Sequence, residues 1–139
     1  MDVGPGQPWV RVVAMVGIGY ALVGILFAVP TTHVHAWRLA AWIVSMIAFG
    51  AHMSYEHFRL QNAPSAAALH VAYAVALGAF GLAVGANIHS LLTASSHHHR
   101  LLLLLSLGIW PLMTAVPAFV VALGVNALLA RAFPRARAE

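Results

Sequence analysis

The sequence contains no cysteine and no lysine, and only three of its 139 residues are acidic. Without cysteine the chain cannot form a disulfide, a thiolate metal site or a cysteine nucleophile. Charged residues make up 7% of the chain and hydrophobic residues 62%, whereas an ordinary soluble domain has about 25% charged residues. A water-soluble fold could not bury so much apolar surface, so this composition argues against the soluble classes of enzyme.

Four apolar stretches occupy most of the chain, at about residues 9–29, 37–58, 66–89 and 101–129. A helix rises about 1.5 Å per residue, so each stretch can cross a hydrocarbon layer about 30 Å thick. The pattern predicts an all-α, polytopic integral membrane protein, built as a bundle of four transmembrane helices in contact with the lipid bilayer. The connections are short, which predicts a single domain.

Arginine carries all the formal positive charge of the side chains. If the helix ends alternate between two sides, one side receives Arg38 and Arg100 and the other receives the remaining five, which are Arg11, Arg59, Arg131, Arg135 and Arg137. Short arginine-rich segments are retained in the cytoplasm, so both termini are predicted to be cytoplasmic in a multi-pass protein of the cell membrane. The alanine-rich and arginine-rich composition favours a prokaryotic inner membrane. Arginines at helix ends, rather than on one polar face, argue against nucleic-acid binding.

The first stretch has an alternative interpretation as a secretory signal peptide, with a small-residue cleavage site at residues 34–36. Its apolar run is longer than the 7–15 residues typical of a signal core. Cleavage would leave three helices in the same orientation. Trp9 and Trp37 fall at the predicted membrane interfaces, where indole rings are enriched. In the fourth stretch Pro111 and Pro117 predict a bent helix.

Small residues form stripes on the first and third predicted helices. Without a hydrophobic driving force in lipid, helices associate through close backbone contact, which small side chains permit. The spacing therefore predicts that both stripes are buried against other helices. The residues predicted to pack in this way are Ala14, Gly17, Ala21, Gly24 and Ala28 in the first helix, and Ala74, Gly78, Gly81 and Gly85 in the third.

The second predicted helix turns polar at its cytoplasmic end. Glu56 is the only acidic residue in any apolar stretch, and an ionisable group in a membrane span is a candidate functional site. His52 lies four residues before Glu56 and Arg59 three residues after it, so all three can share one helix face. A short connection predicts that the second and third helices form an antiparallel hairpin, which brings His70 to the depth of Glu56.

This inner cluster allows three interpretations. In the first, Glu56 and Arg59 form an interfacial ion pair with a structural role, and His52 bonds to a neighbouring helix. In the second, His52, Glu56, Arg59 and His70 form an ion or proton pathway. In the third, His52, Glu56, His57 and His70 bind zinc or iron. Binding of haem between His52 and His70 is a variant of this third interpretation. It is less favoured, because a tight hairpin leaves little room for a porphyrin.

A second group of histidines is predicted on the outer side, five of them in loops at about residues 30–36 and 90–100 and one, His89, at the end of the third helix. Neutral imidazoles bind copper, zinc and nickel, so this group is a second candidate metal site, although loop histidines without fixed geometry bind weakly. The group consists of His33, His35, His89, His97, His98 and His99.

No motif in the chain identifies a reaction or a substrate. The preferred interpretation is a structural or accessory membrane subunit, or a small transporter that works as a homo-oligomer or with a partner membrane subunit. A single thin bundle has little interior for an aqueous path, which favours an assembly. The alternative is a membrane redox protein or enzyme that uses the histidine and glutamate cluster with haem, zinc, copper or iron. An enzymatic role and a bound cofactor are both disfavoured.

Overall fold

The structure, a computed structural model, describes residues 8–28, 32–92 and 97–133, and the side chains of residues 8, 28 and 97–100 lie outside that description. Every regular element in these ranges is an α-helix, as predicted. Each helix contains a segment long and apolar enough to cross a membrane. The helices are α1 (Pro8–Ala28), α2 (Val34–Phe58), α3 (Pro64–Leu92) and α4 (His97–Ala132).

Helices α2, α3 and α4 extend beyond their predicted boundaries at the outer side. His35 lies in the first turn of α2 and His97–His99 form the first turn of α4, so the prediction that these four are loop residues was wrong. His89 lies in the last turn of α3, as predicted. Polar residues mark where the chain leaves an apolar layer, and histidine and arginine do not by themselves end a helix. Only His33 remains outside, as the N-cap of α2 with a left-handed φ of 53°.

Helix α3 is the centre of the fold. It packs most extensively against α4 and then against α1, whereas the backbones of the described parts of α1 and α4 do not approach each other closely. Alanine and glycine supply most of the buried positions of α3, and small side chains let its backbone approach both neighbours.

The α1–α3 interface is built from the two predicted stripes. A methyl group added at Gly17 would lie 2.7 Å from Cδ2 of Leu77 and 3.0 Å from the carbonyl oxygen of Ala74. One added at Gly81 would lie 2.7 Å from Cβ of Ala21. The sequence predicts only that each stripe is buried against another helix, and in the structure the two stripes lie in the same interface. The side chain of Ala28 lies outside the described residues. Gly85 contributes little, because its added methyl group would make only an ordinary contact at 3.9 Å with Ile25.

Helix α4 is held to α3 by a polar contact near its beginning and by apolar contacts near its end. Nδ2 of Asn87 donates hydrogen bonds to the carbonyl oxygens of Ala83, at 2.8 Å, and of Leu103 in α4, at 2.9 Å. Further along, Ala122 belongs to the same buried cluster as Val71 of α3. The helix continues through Pro111 and Pro117 without a break.

Helix α2 contacts the bundle near both of its ends. Near its start, Trp37 packs edge-on against Phe27 of α1, with ring centroids 5.7 Å apart. Near its C-terminal end, Met53 joins the buried cluster of Ala68, Val71 and Ala122. Between these contacts, the middle of α2 borders a cavity of about 540 Å³ that residues of all four helices line. The closely packed hairpin predicted for α2 and α3 is therefore present only beside the connecting turn, because the glycines of α3 face α1 instead.

The distribution of polar and apolar side chains is the reverse of that in a water-soluble protein. Large apolar side chains such as Met15, Trp42 and Leu112 are about two-thirds exposed, at 67%, 70% and 65%. The largest fully buried side chains are Glu56, Val71 and Asn126, and two of these three are polar. Buried polar side chains therefore occupy the interior of the bundle, and large apolar side chains cover its exterior.

Candidate functional site

The candidate site is centred on Glu56, two residues before the end of α2. Its side chain is fully buried, with 0% exposure. A buried carboxylate needs hydrogen-bond donors to replace water. Three residues supply contacts to it, from the same helix, from the following turn and from α3, and these are His52, Asn62 and His70.

Asn62 lies in the turn between α2 and α3 and reaches back to the carboxylate. Its Nδ2 donates a hydrogen bond of 2.6 Å to Oε2 of Glu56, and its backbone N–H donates one of 3.3 Å to the Glu56 carbonyl oxygen. Gln61, just before it, adopts a left-handed φ of 52° that turns the chain back over the helix end. Asn62 was not predicted from the sequence. The only indication of its role was its position, since it is a polar amide just after a helix that carries an acidic residue.

His70 comes from the second turn of α3. Its Nδ1 lies 3.1 Å from both oxygens of Glu56, a geometry in which Nδ1–H donates to the carboxylate. Its side chain is 12% exposed and that of His52 is 0% exposed, so His70 is the more accessible of the two histidines that contact the carboxylate. Nε2 lies on a different edge of the ring and is not part of that contact. His70 therefore connects the buried acid to the surface of the bundle.

Trp9 holds the ring of His70 from the beginning of α1. The two rings stack with centroids 4.5 Å apart and planes 1° from parallel. This contact fixes the plane of the imidazole while Nδ1 faces Glu56. Trp9 was predicted only as an interface marker, and its stacking on His70 is a further role that the sequence did not indicate.

His52 lies one helical turn before Glu56 on the same face of α2, as predicted. Its Nε2 is 3.5 Å from Oε1 of Glu56, and its side chain is fully buried. Neither ring nitrogen satisfies hydrogen-bond geometry with another described residue. A buried imidazole with unmet hydrogen-bonding capacity beside a carboxylate can accept or pass on a proton.

The ion pair between Glu56 and Arg59 that the spacing suggested is not formed. Among the described residues, the ionic partners of Glu56 are His52 and His70, and Arg59 is exposed. The Glu56 carboxylate is instead buried and contacts His52, Asn62 and His70. In the described part of the chain, Glu56 therefore has no permanent cation beside it. Its partners there are two imidazoles, which can gain or lose a proton, and the neutral amide of Asn62.

His57 is buried but is not a partner of Glu56. Its ring packs edge-on against Phe58 at 4.8 Å, and Phe58 in turn contacts Phe133 at 5.9 Å. These contacts connect the end of α2 with the end of α4. His57 therefore lies on a different side of α2 from the carboxylate cluster.

Neither of the two predicted metal sites is formed by the described residues. No group of three or more histidine, aspartate or glutamate side chains there is arranged to hold a metal ion. In the inner cluster the carboxylate oxygens are occupied by direct contacts with Asn62 and both imidazoles, and the two rings converge on Glu56 rather than flank a slot for haem. On the outer side His33, His35 and His89 are exposed. The side chains of His97, His98 and His99 lie outside the described residues.

Asn126 is a further buried polar residue that sequence reasoning missed. It is 1% exposed, and its Nδ2 donates a 2.8 Å hydrogen bond to the carbonyl oxygen of Ala122 in the preceding turn. Its Oδ1 has no hydrogen-bond partner among the described residues. One turn of α4 separates it from Ala122, which packs with Met53. The polar character of this end of the bundle therefore extends to α4.

Comparison of the chain with protein-family models, curated proteins and solved structures finds no match. The function must therefore be argued from the site itself.

Proposed function

We propose that the chain is a polytopic membrane protein whose four helices all cross the bilayer. The support is the reversed distribution of side chains, with large apolar residues outside and Glu56 and Asn126 inside. In water such a surface would aggregate, whereas in lipid it is matched to its solvent.

The end of the bundle that holds the turn at residues 59–63, called here the turn end, faces the cytoplasm. The stack of Trp9 on His70 and the contact of Phe58 with Phe133 bring the start of α1 and the end of α4 to this same end. Arg11, Arg59 and Arg131 are exposed near it, and Arg38 is exposed near the opposite end. The positive-inside rule then places both termini in the cytoplasm.

Reporter fusions test this orientation. A reporter after Glu139 is expected to show a cytoplasmic location, and one inserted between Thr32 and His33 an external location. The measurement is paired alkaline phosphatase and fluorescent protein activity in bacterial cells. The opposite pattern would reverse the topology and place Glu56 near the external face.

The cluster of His52, Glu56 and His70 binds and releases a proton from the turn end. The observation that carries this proposal is a fully buried carboxylate that contacts two imidazoles and, among the described residues, no arginine. Imidazole changes its charge near neutral pH, and a carboxylate between two imidazoles can share one proton with them. Placing an ionisable side chain inside a membrane costs free energy, so its presence there is a mark of an ion or proton site.

In this proposal the protein is a small proton-linked transporter that works as an oligomer. Towards the opposite end from Glu56, α2 continues with Met53 and Phe49, which pack in an apolar cluster. One chain therefore offers a proton site but no polar continuation across its described interior. A second copy, or a partner membrane subunit, supplies the rest of the path.

Infrared titration and proton flux test the proton site together. In purified protein, lowering the pH is expected to raise a protonated carboxyl band that is absent from Glu56→Gln. In liposomes loaded with a pH-sensitive dye, the protein is expected to admit protons under an imposed gradient. If the Glu56 band never appears and the flux equals that of empty liposomes, the cluster is structural and the protein is an accessory subunit.

A further inference from the structure

The imidazole ring of His70 is held by two contacts at once, one in its plane and one across its face. In the plane, Nδ1 lies 3.1 Å from both carboxylate oxygens of Glu56. Across the face, the indole of Trp9 stacks on the imidazole, with ring centroids 4.5 Å apart and planes 1° from parallel. The two contacts approach the ring from perpendicular directions, so both can act on it together.

Both contacts favour the same charge state of the ring. The carboxylate of Glu56 forms a stronger hydrogen bond with a charged donor than with a neutral one. The face of an aromatic ring carries negative potential, and it attracts a cation that lies within about 6 Å of the ring centroid, most strongly when the ring is tryptophan. A neutral imidazole can also donate from Nδ1, but it gains no cation–π attraction. The indole of Trp9 therefore distinguishes the protonated ring of His70 from the neutral ring.

The surroundings of the stack strengthen this attraction. The side chain of His70 is 12% exposed and that of Glu56 is 0% exposed, so little water competes with the indole for the charge. Cation–π attraction contributes more where water is excluded than at an open surface. The stack thus lies where the charge state of His70 is sensitive to the electron density of its neighbour.

Other charged and titratable side chains at the turn end belong to α1, α2 and α4. On α2, His52 contacts the same carboxylate of Glu56, and His57 packs against Phe58 on a different side of the helix. The arginines among the described residues at this end are exposed, so solvent and salt screen their charges, and these are Arg11, Arg59 and Arg131. None of these groups changes when the indole is replaced, so the effect of Trp9 can be measured separately from theirs.

We propose that Trp9 is a positioning residue of the proton site, and that its indole face stabilises the protonated ring of His70. This inference rests on the proposed proton site and adds where the shared proton lies. The proton that the cluster binds is held on His70 as an imidazolium, and Glu56 is its anionic partner. The proton is thereby held on the more accessible imidazole rather than on the fully buried ring of His52.

The test varies the electron density of the indole face while keeping its shape. Fluorine atoms on an indole withdraw electrons from the ring face and so weaken its attraction for a cation. In a variant that carries Trp37→Phe, Trp42→Phe and Trp110→Phe, the only tryptophan is Trp9, which can be replaced during expression by monofluorinated or difluorinated tryptophan. The three altered side chains are exposed, so this single-tryptophan variant is expected to fold.

Nitrogen NMR of protein labelled at histidine measures the protonated fraction of His70, whose signal is identified by its loss in His70→Gln. At the pH where His70 is half protonated in the single-tryptophan variant, the ratio of protonated to neutral ring is expected to fall with each added fluorine. Trp9→Leu removes the aromatic face and should lower this ratio about three- to tenfold. Trp9→Phe should give an intermediate ratio, because phenylalanine attracts a cation less strongly than tryptophan does.

The matched control is the Trp9→Phe protein with its other three tryptophans fluorinated, in which the ratio should not change. The fluorinated series keeps the test decisive even where Trp9→Leu does not fold, because fluorination preserves the packing of the indole. Equal ratios in the plain and fluorinated single-tryptophan variants would overturn the inference alone, since Trp9 would then act only through packing. A His70 ring that stays neutral at every pH where the protein is folded would overturn both the inference and the proposed proton site.

Discussion

Glu56→Gln is expected to reduce proton flux to the level of empty liposomes while leaving the yield of folded protein near that of wild type. The amide has the shape of the carboxylate, and its oxygen can still accept a bond from Asn62 or His70. It cannot bind or release a proton near neutral pH. The stability cost should be modest, about 1–2 kcal/mol, because hydrogen bonds to a charged acceptor become bonds to a neutral one.

Arg59 provides the matched control for this variant. Arg59→Gln removes the nearest arginine in sequence, but that side chain is exposed and is not an ionic partner of Glu56. Its flux is expected to equal that of wild type. The double variant should have the same stability and the same proton flux as Glu56→Gln alone. A double variant that regains stability or flux would show that the two residues are coupled, and the proton site would then be an ion pair with a structural role.

Helical periodicity was enough to predict part of this site. The four-residue spacing places His52 beside Glu56, and the short turn between α2 and α3 brings His70 to the same depth. The two small-residue stripes likewise indicated which faces of the first and third helices are buried, because close packing in lipid depends on the spacing of small residues along one face. These features depend on one helix or on one short connection, which is why the sequence could indicate them.

The remaining contacts depend on how separate elements meet, and the sequence did not reveal them. Trp9 stacks on His70 only because α1 lies against α3, and Asn62 reaches Glu56 only because Gln61 adopts a left-handed conformation. The same dependence explains the incorrect pairing of Glu56 with Arg59, since helical spacing cannot show that Glu56 is buried against α3 while Arg59 is exposed. The cavity beside α2 follows from the packing of α3 against α1, which no local pattern encodes.

Gly78→Leu is expected to prevent the docking of α1 on α3, and Gly78→Ala to lower the free energy of unfolding by about 1–3 kcal/mol, as overpacking does in tightly packed cores. A methyl group at this position would lie 2.5 Å from Cβ of Tyr20 and 3.3 Å from the carbonyl oxygen of Gly17. Neither atom can move by a change of rotamer. The two helix backbones must therefore separate, and the contacts along the whole interface weaken together.

Alanine substitutions at other glycines serve as controls of graded severity, because the atoms that the added methyl group meets differ in how easily they can move aside. Gly17→Ala should resemble Gly78→Ala, since it also meets backbone, at the Ala74 carbonyl oxygen. Gly24→Ala should cost less, because only the flexible end of Leu82 lies in the way. Gly19→Ala meets nothing within 4 Å and should be neutral or stabilising by a few tenths of a kcal/mol to about 1 kcal/mol, through helix propensity. Unfolding in mixed micelles with increasing sodium dodecyl sulfate measures all four, and equal losses at Gly19 and Gly78 would show that the α1–α3 interface does not determine stability.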